Sequence, residues 1–365
     1  MQTQTQTNSA LSFVGEIPPF VESAMDALYG SLYATLTHLQ LHYATDQAST
    51  YARWHEGKLT ALFLFRRHGK EVRVINEGMR LGIEEIEKFC EHIFNQHIDT
   101  QRIQFHAVQL NEQAAKHPAL RFSCTEDIVI TLPATKEAYL QQLGKSTRKN
   151  LRQHLAKAER NLPGLRYEVV EGKEISEQTI RSIISFNHAR MADKQRSSAI
   201  SGESEVRLLS LIRKRGTVGL LYVNNQVCGG SLACRVGKDL YSLVNAHDPQ
   251  YNAYSLGNVC RYLMIINAID KGDERFHMLG GNFSSKASML GQRQQLDHLV
   301  LYRSHTDMLR DAMGITKLSL QSASYLIRNW MQEQIQKKEK SFIANMILST
   351  INILRQMRRR ISTIN

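Results

Sequence analysis

The sequence predicts a mixed α/β (α+β) fold built as two half-domains, each a mixed, mostly antiparallel sheet flanked by helices, with a basic helical C-terminal tail. Three observations carry this. Strand-like and helix-like runs alternate along most of the chain, they do so once before about residue 120 and again after about residue 125, and several strand runs are joined by tight turns. A length of 365 residues also exceeds what one hydrophobic core usually fills. Apolar residues at 42% and charged residues at 22% match ordinary globular proteins. The absence of a short-period repeat excludes solenoids and propellers.

The elements follow in order. Ser23 to His42 has helical spacing. Lys58–Arg66 and Glu71–Asn76 read as two strands joined at Arg67-His68-Gly69-Lys70. Ile86, Phe89, Cys90, Ile93 and Phe94 line one face of a helix over 84–97, and Arg102–Val108 is a further strand. Asp127–Leu132 alternates strongly and stops at Pro133. Helices are expected over 136–143, from Thr147 to Leu162, and over 176–191 and 203–215, with a strand at 166–170. Thr217–Val223, Gln226–Val236 and Asp239–Ala246, joined by Asn224-Asn225 and Gly237-Lys238, predict a three-stranded antiparallel meander. A helix from about Gly257 to Ala268 and a final strand over 274–279 complete the expectation. The domains this predicts are a disordered polar tail over 1–15, half-domains over 16–122 and 123–308, and a basic amphipathic helical tail over 309–365.

The Gln/Thr-rich start does not resemble a secretory signal, and no apolar run is long enough to span a bilayer. The five cysteines are scattered without a C-x-x-C pair, so a reducing, cytoplasmic setting is expected rather than a disulfide framework. No metal is expected, because the 14 histidines show neither H-E-x-x-H nor another paired ligand spacing. No G-x-S-x-G nucleophile elbow occurs.

The net charge of +12 is concentrated in two places: residues 144–166 carry seven Lys/Arg against one acid, and residues 310–365 carry ten against three. Such patches suit a phosphorylated small molecule, nucleic acid or an anionic membrane. The basic helix lacks interleaved aromatics, so general nucleic-acid binding is not expected. Over 337–360, Phe342, Ile343, Met346, Ile347, Ile351 and Leu354 recur at helical spacing between clusters of cations. This predicts peripheral association with the anionic inner face of a membrane, with docking on a partner or folding back on the core as the alternatives.

The most informative stretch runs from the strand at 239–246 through Asp248-Pro249-Gln250-Tyr251 to Ser255-Leu256-Gly257-Asn258, where an apolar helix begins. Free N–H groups and the positive end of a helix dipole make such a start a seat for phosphate. Gly257 permits close backbone approach. The alternative is a plain N-cap at Ser255 with Gly257 as a packing residue.

Gly144-Lys145-Ser146-Thr147-Arg148-Lys149-Asn150-Leu151-Arg152 resembles the basic opening motif of the CelD/BcsL-like acyltransferases, a branch of the GNAT superfamily related to the FemAB peptidoglycan aminoacyltransferases. Phe186-Asn187-His188-Ala189-Arg190, Asn225 to Gly230, Asp248-Pro249 with Tyr251 and Ser255-Leu256-Gly257, and Gly281-Asn282-Phe283 with Lys286 are similar to later blocks of that domain, in the same order. The resemblance covers about residues 125–305, and residues before 120 resemble a degenerate first GNAT-like half. It implies transfer of an acyl group from acyl-CoA, most simply acetyl-CoA, to an amine or hydroxyl on a small molecule or glycan precursor, in envelope or surface-polysaccharide synthesis. Aminoacyl-tRNA or an acyl-carrier protein are the alternative donors. The usual phosphate loop has two glycines where this chain has one, which leaves a non-catalytic envelope-assembly adaptor on a decayed GNAT fold as a further alternative.

The resemblance also implies where the donor lies. The pantetheine arm enters where two central strands part, here beside Asn245, Ala246 and His247, and the pyrophosphate meets Ser255, Leu256, Gly257 and Asn258. Candidates for base and acid are His188, Asp248, Tyr251 and Tyr254. Arg148, Arg152, Arg190, Asn282 and Lys286 are candidates for holding the substrate. Each has a plainer reading: His188 and Arg190 as helix-end caps, Asp248 as a turn residue, the tyrosines as core, and the cations as solvated surface.

Overall fold

The computed structural model describes residues 9–111, 115–193, 197–281 and 283–336. The first half contains β1 (Ser9–Phe13), α1 (Val21–Tyr29), α2 (Leu36–His42), β2 (Ser49–His55), β3 (Lys58–His68), β4 (Glu71–Val74), β5 (Arg80–Leu81), α3 (Ile83–Gln96) and β6 (Arg102–Leu110). The chain continues with β7 (Ala119–Thr131), α4 (Lys136–Gln142), α5 (Lys145–Asn161), β8 (Arg166–Glu171), α6 (Glu177–Asp193) and α7 (Glu203–Arg215). Then come β9 (Gly216–Val223), β10 (Gln226–Val236), β11 (Asp239–His247), α8 (Leu256–Asp270), β12 (Arg275–His277), α9 (Phe283–Ala287), β13 (Gln292–Tyr302), α10 (His305–Arg310) and α11 (Ala312–Gln336).

The two halves share one sheet. Its order is β1-β2-β3-β4-β6-β13-β7-β12-β11-β10-β9-β8, with β5 added beside β6. Pairing is antiparallel except for β4 with β6, β5 with β6 and β11 with β12. The stitch is β13, which pairs β6 through Tyr302↔Arg102 and β7 through Leu301↔Ala119. The expected boundary between residues 122 and 123 therefore falls inside β7.

The meander β9–β11 forms as predicted because its turns are chemically specified: Asn224, Asn225 and Gly237 all take left-handed φ values of 50°, 60° and 57°. Three expectations differ. Ser9–Phe13 is a strand paired to β2 rather than part of a disordered tail, since it adds an edge to an otherwise open ladder. The single helix expected over 23–42 is broken, because Gly30 turns left-handed at φ 56° and Thr35 caps a new helix by accepting from the His38 N–H at 3.2 Å. The strand expected over 274–279 is shortened to β12 and is not the final one, since β13 follows it with a polar first half, Gln292-Arg293-Gln294-Gln295, that hides its alternation.

Both sheet faces are covered. In the first half, Phe63 and Phe105 meet Phe89 of α3 edge-on at 5.1 and 5.8 Å, while Leu62 and Leu64 face α1 and α2. That is why Ala61–Phe65 is a continuous apolar run. Each such buried ring or leucine contributes about 1.5–3 kcal/mol. In the second half, α6 and α7 cover one face through Ile180, Ile183, Ile184 and Ile212. The other face carries α4 and α8, with α5 completing that layer. Arg215 of α7 ties the halves together, donating to Asp26 (2.6 Å), Glu22 (2.8 Å) and Thr37 (3.0 Å). Among the described residues no helix is long and apolar enough to cross a membrane. The amphipathic pattern over 337–360 lies outside the described residues, as does Asn282.

Candidate active site

The central strands part. β11 and β12 pair in parallel only through Asp239↔Arg275, Leu240↔Phe276 and Tyr241↔His277. Beyond that rung β11 stays with β10 as far as Gly229↔His247, and β12 stays with β7, where the Met278 N–H donates to the Ile128 carbonyl at 2.8 Å. A bulge in β11 places Leu243 as an extra residue opposite Leu232 and Ala233 just past the last shared rung. Bulges increase local twist, which helps carry the strand away from its neighbour. The edge of β11 that has lost β12 keeps backbone polar groups directed into the gap.

The bulge also switches faces. Val244 and Ala246 pack with α6, whereas Asn245 and His247 turn towards α8. Asn245 donates to the Gly257 carbonyl at 2.8 Å, and a Cβ at Gly257 would lie 3.2 Å from His247 Nδ1. No side chain caps α8; Ser255 stands before it in a left-handed conformation (φ 54°) and its carbonyl receives the Asn258 and Val259 N–H groups. Leu256 and Gly257 thus begin the helix with the positive dipole end directed at His247 and the gap.

Cations gather on this side of the gap. Desolvation, followed by the charge of Arg190 on α6, lowers the His247 imidazole pKa, although Asn252 partly opposes this as a hydrogen-bond partner. Burial, and then Arg190, likewise lowers Arg261 of α8. Burial, reinforced by Arg261, pulls Lys286 down to about 8. Arg190 Nε, Asn245 Oδ1 and His247 Nδ1 are buried without a hydrogen-bond partner among the described residues. Arg190 Nε is a donor that an anion would satisfy beside the uncapped helix start, whereas Asn245 Oδ1 and His247 Nδ1, whose Nε2 donates to Asn252 Oδ1 at 3.0 Å, are acceptors that call for a ligand's N–H or O–H groups. Arg261 was not singled out from sequence; the signal was a lone arginine inside the apolar run Val259–Ile266.

The other candidates are placed as follows. His188 is exposed on α6 and donates from Nε2 to the Ile200 carbonyl at 2.6 Å, while Ser198 donates to Asn187 at 3.0 Å, so this motif secures the segment after α6. Asp248 caps the 3-10 turn Pro249–Tyr254 by accepting from Gln250 N at 3.0 Å. Tyr251 and Tyr254 pack on the cluster of Leu221, Val223, Leu256 and Cys260, with Lys157 Nζ 5.2 Å from the centre of the Tyr254 ring. Desolvation raises the Tyr251 pKa. Lys286 Nζ donates to the carbonyls of Met278 (2.6 Å), Leu279 (2.8 Å) and Gly280 (2.8 Å), binding the end of β12. Arg148 and Arg152 lie on α5, which packs against α8.

A second cluster lies on the opposite face at the last shared rung. His277 stacks on Tyr241 with ring centres 4.0 Å apart, and its Nδ1 lies 2.6 Å from Asp127 Oδ2. The Leu279 N–H donates to Asp127 Oδ1 at 2.9 Å, and Arg275 grips Asp239 with Nε and Nη2. Burial opposes the charged imidazole, but Asp127 and Asp239 outweigh it and raise the His277 pKa. Sequence gave no sign of this group, because the residues come from three strands and only the register joins them. Among the described residues no three or more His, Cys, Asp or Glu are arranged to hold a metal ion.

Residues 145–287, which run from the start of α5 to the end of α9, match the acetyltransferase (GNAT) domain family. No curated protein matches the chain. Among solved structures, FemX shares 10% identity at a TM-score of 0.54, over 80% of this chain and 96% of its own. A conserved protein of unknown function from Bacteroides thetaiotaomicron shares 10% identity at a TM-score of 0.50, over 80% of this chain and 98% of its own. L-PGS from Bacillus licheniformis shares 13% identity at a TM-score of 0.47, over 84% of this chain and 97% of its own. The parted strands and the helix after them thus lie within a segment, 145–287, that matches the acetyltransferase (GNAT) domain family, and the chain has a GNAT acyltransferase-type fold.

Proposed function

We propose that the protein transfers an acyl group, acetyl from acetyl-CoA in the simplest case, to an amine or hydroxyl on a small-molecule or glycan-precursor acceptor, as a CelD/BcsL-type enzyme of surface-polysaccharide or envelope synthesis. The observation that supports this best is the gap between β11 and β12 opening onto the uncapped start of α8 with three orphaned polar atoms around it. In this reading the pyrophosphate lies on the Leu256 and Gly257 amides near His247 and Arg190, and Lys286 and Arg261 supply background positive charge. The pantetheine arm follows the free edge of β11. An edge amide receives the thioester oxygen as negative charge develops on it. The acceptor lone pair attacks the carbonyl carbon, the C–S bond breaks, the thiolate takes a proton from a phenol, and the proton lost by the acceptor's N–H or O–H returns through solvent to the phenolate. Tyr251 and Tyr254, on the turn between β11 and α8, are the phenols we assign to give the thiolate its proton.

Isothermal titration of the full chain with acetyl-CoA tests the reading. Micromolar binding that falls at least tenfold in Arg190→Met supports it, and absence of heat with acetyl-CoA and longer acyl-CoAs refutes it, leaving the aminoacyl-tRNA and adaptor readings.

A second reading, transfer from aminoacyl-tRNA, is favoured by one observation: Lys145, Arg148, Lys149 and Arg152 of α5 make no ion pair among the described residues and stand beside α8. It requires tRNA binding that weakens steeply between low and moderate salt.

A further inference from the structure

A cavity of about 340 Å³ lies between the two halves of the molecule, lined by Tyr29 and Tyr33 from one half and by Tyr241 and His277 from the other. That volume suits a small molecule. Tyr241 and His277 form the last shared rung of β11 and β12, so the cavity sits at the apex of the gap, on the face opposite α8.

Its charges are paired with one exception. His106 Nδ1 meets Glu77 Oε1 at 3.0 Å, and His277 meets Asp127 at 2.6 Å. Glu126 meets Arg293 at 2.9 Å, and Arg275 is held by Asp239. Arg80, from the two-residue strand β5, has no ion-pair partner among the described residues; its Nη2 donates to Gln294 Oε1 at 3.0 Å, which stretches it from β5 to β13 across the cavity wall. Arg80 is exposed at the cavity rim, where desolvation, and then the charge of Arg275, lower its pKa against the opposing pull of Asp239 and Asp127. Arg80 and Arg275 both lie near Asp239, which Arg275 already holds, and Asp127, the other carboxylate that Arg80 feels, is paired with His277. A planar fork of donors that meets only a neutral amide, Gln294, and no carboxylate among the described residues is suited to a carboxylate or phosphate.

We propose that this cavity binds the acceptor and that the acceptor carries an anionic group, carboxylate or phosphate, which docks on Arg80 beside Arg275 while its body lies against Tyr33 and Tyr241. Calling the ligand the acceptor rests on the transferase reading; the anion site does not. An anion there brings the rest of the molecule to the rung at which the donor's gap begins.

The test uses the full chain with acetyl-CoA, inorganic phosphate and succinate as probes, titrated separately by calorimetry or NMR. Wild type is expected to bind phosphate or succinate at millimolar concentration, with affinity falling at least tenfold in Arg80→Gln and returning to within about threefold in Arg80→Lys. Whichever anion shows the Arg80-dependent component identifies the group. Equal affinity of wild type and Arg80→Gln for both anions overturns the proposal. Acetyl-CoA binding separates this outcome from failure of the transferase reading: its loss in wild type sinks that reading and leaves the Arg80 result standing. Retained acetyl-CoA binding with Arg80-independent anions sinks only the cavity.

Discussion

His277 and Tyr241 are register partners across β11 and β12, and their rings stack 4.0 Å apart at the rung where the two strands last meet. The stack closes the gap at one end, and Asp127 fixes it by holding the imidazole from β7. This buried polar cluster therefore stands where the proposed donor and acceptor sites adjoin.

Asp127→Asn is expected to destabilise the protein by about 2–3 kcal/mol at pH 6, since a buried imidazolium loses its counter-charge. The His277 pKa is raised in the folded state, so its contribution is present below the ordinary histidine pKa and is lost as pH rises through the folded value. The penalty should therefore shrink by pH 9. Urea unfolding of both proteins at the two pH values measures it, and an equal penalty at both would contradict the charge assignment.

Gly257→Val should weaken acetyl-CoA binding at least tenfold while changing stability by less than about 1 kcal/mol. The new Cβ would sit 3.2 Å from His247 Nδ1, in the space where the α8 amides meet the gap. The added methyls crowd that space, whereas a helical φ tolerates the residue. Paired calorimetric titration and thermal melting give both numbers.

Acidification should unfold the protein through two buried histidines. Desolvation, reinforced by His42, lowers the His38 pKa to about 4; desolvation, reinforced by His106, does the same to His298. The folded pKa lies below the unfolded one, so stability is lost as pH falls from about 6.5 towards 4, by an order of 2 kcal/mol for each group. His298→Gln should flatten the slope between pH 7 and pH 5 in urea titrations.

Arg215→Ala should cost about 2–3 kcal/mol, because it strands Asp26 and Thr37 partly buried without their donor. Hydrogen exchange should show α1 and α2 losing protection before β9–β11 does. Uniform loss across the molecule would mean that this arginine does not hold the halves together.

The fold was legible where local chemistry specified it. Asn224-Asn225 and Gly237-Lys238 announced the meander, and the residues of 239–258 announced a strand, a turn and a helix start beside Gly257. It was not legible where pairing is remote. Asp127 and His277 lie 150 positions apart and meet only because β12 settles beside β7. Arg80 drew no notice because two residues carry too little pattern to read as a strand. β13 escaped because its first half is polar, largely open to solvent and without alternation, and the 23–42 helix was overextended because Gly30 and Thr35 were read as interior residues.

The position of β13 has a consequence for biosynthesis. A ribosome releases β6 and β7 long before residues 292–302 emerge, so both strands wait with open ladders until the eleven-residue wedge arrives to close them. Truncation ahead of that wedge would leave two sticky sheet margins in place of one finished particle, and premature termination should yield inclusion bodies rather than a working fragment.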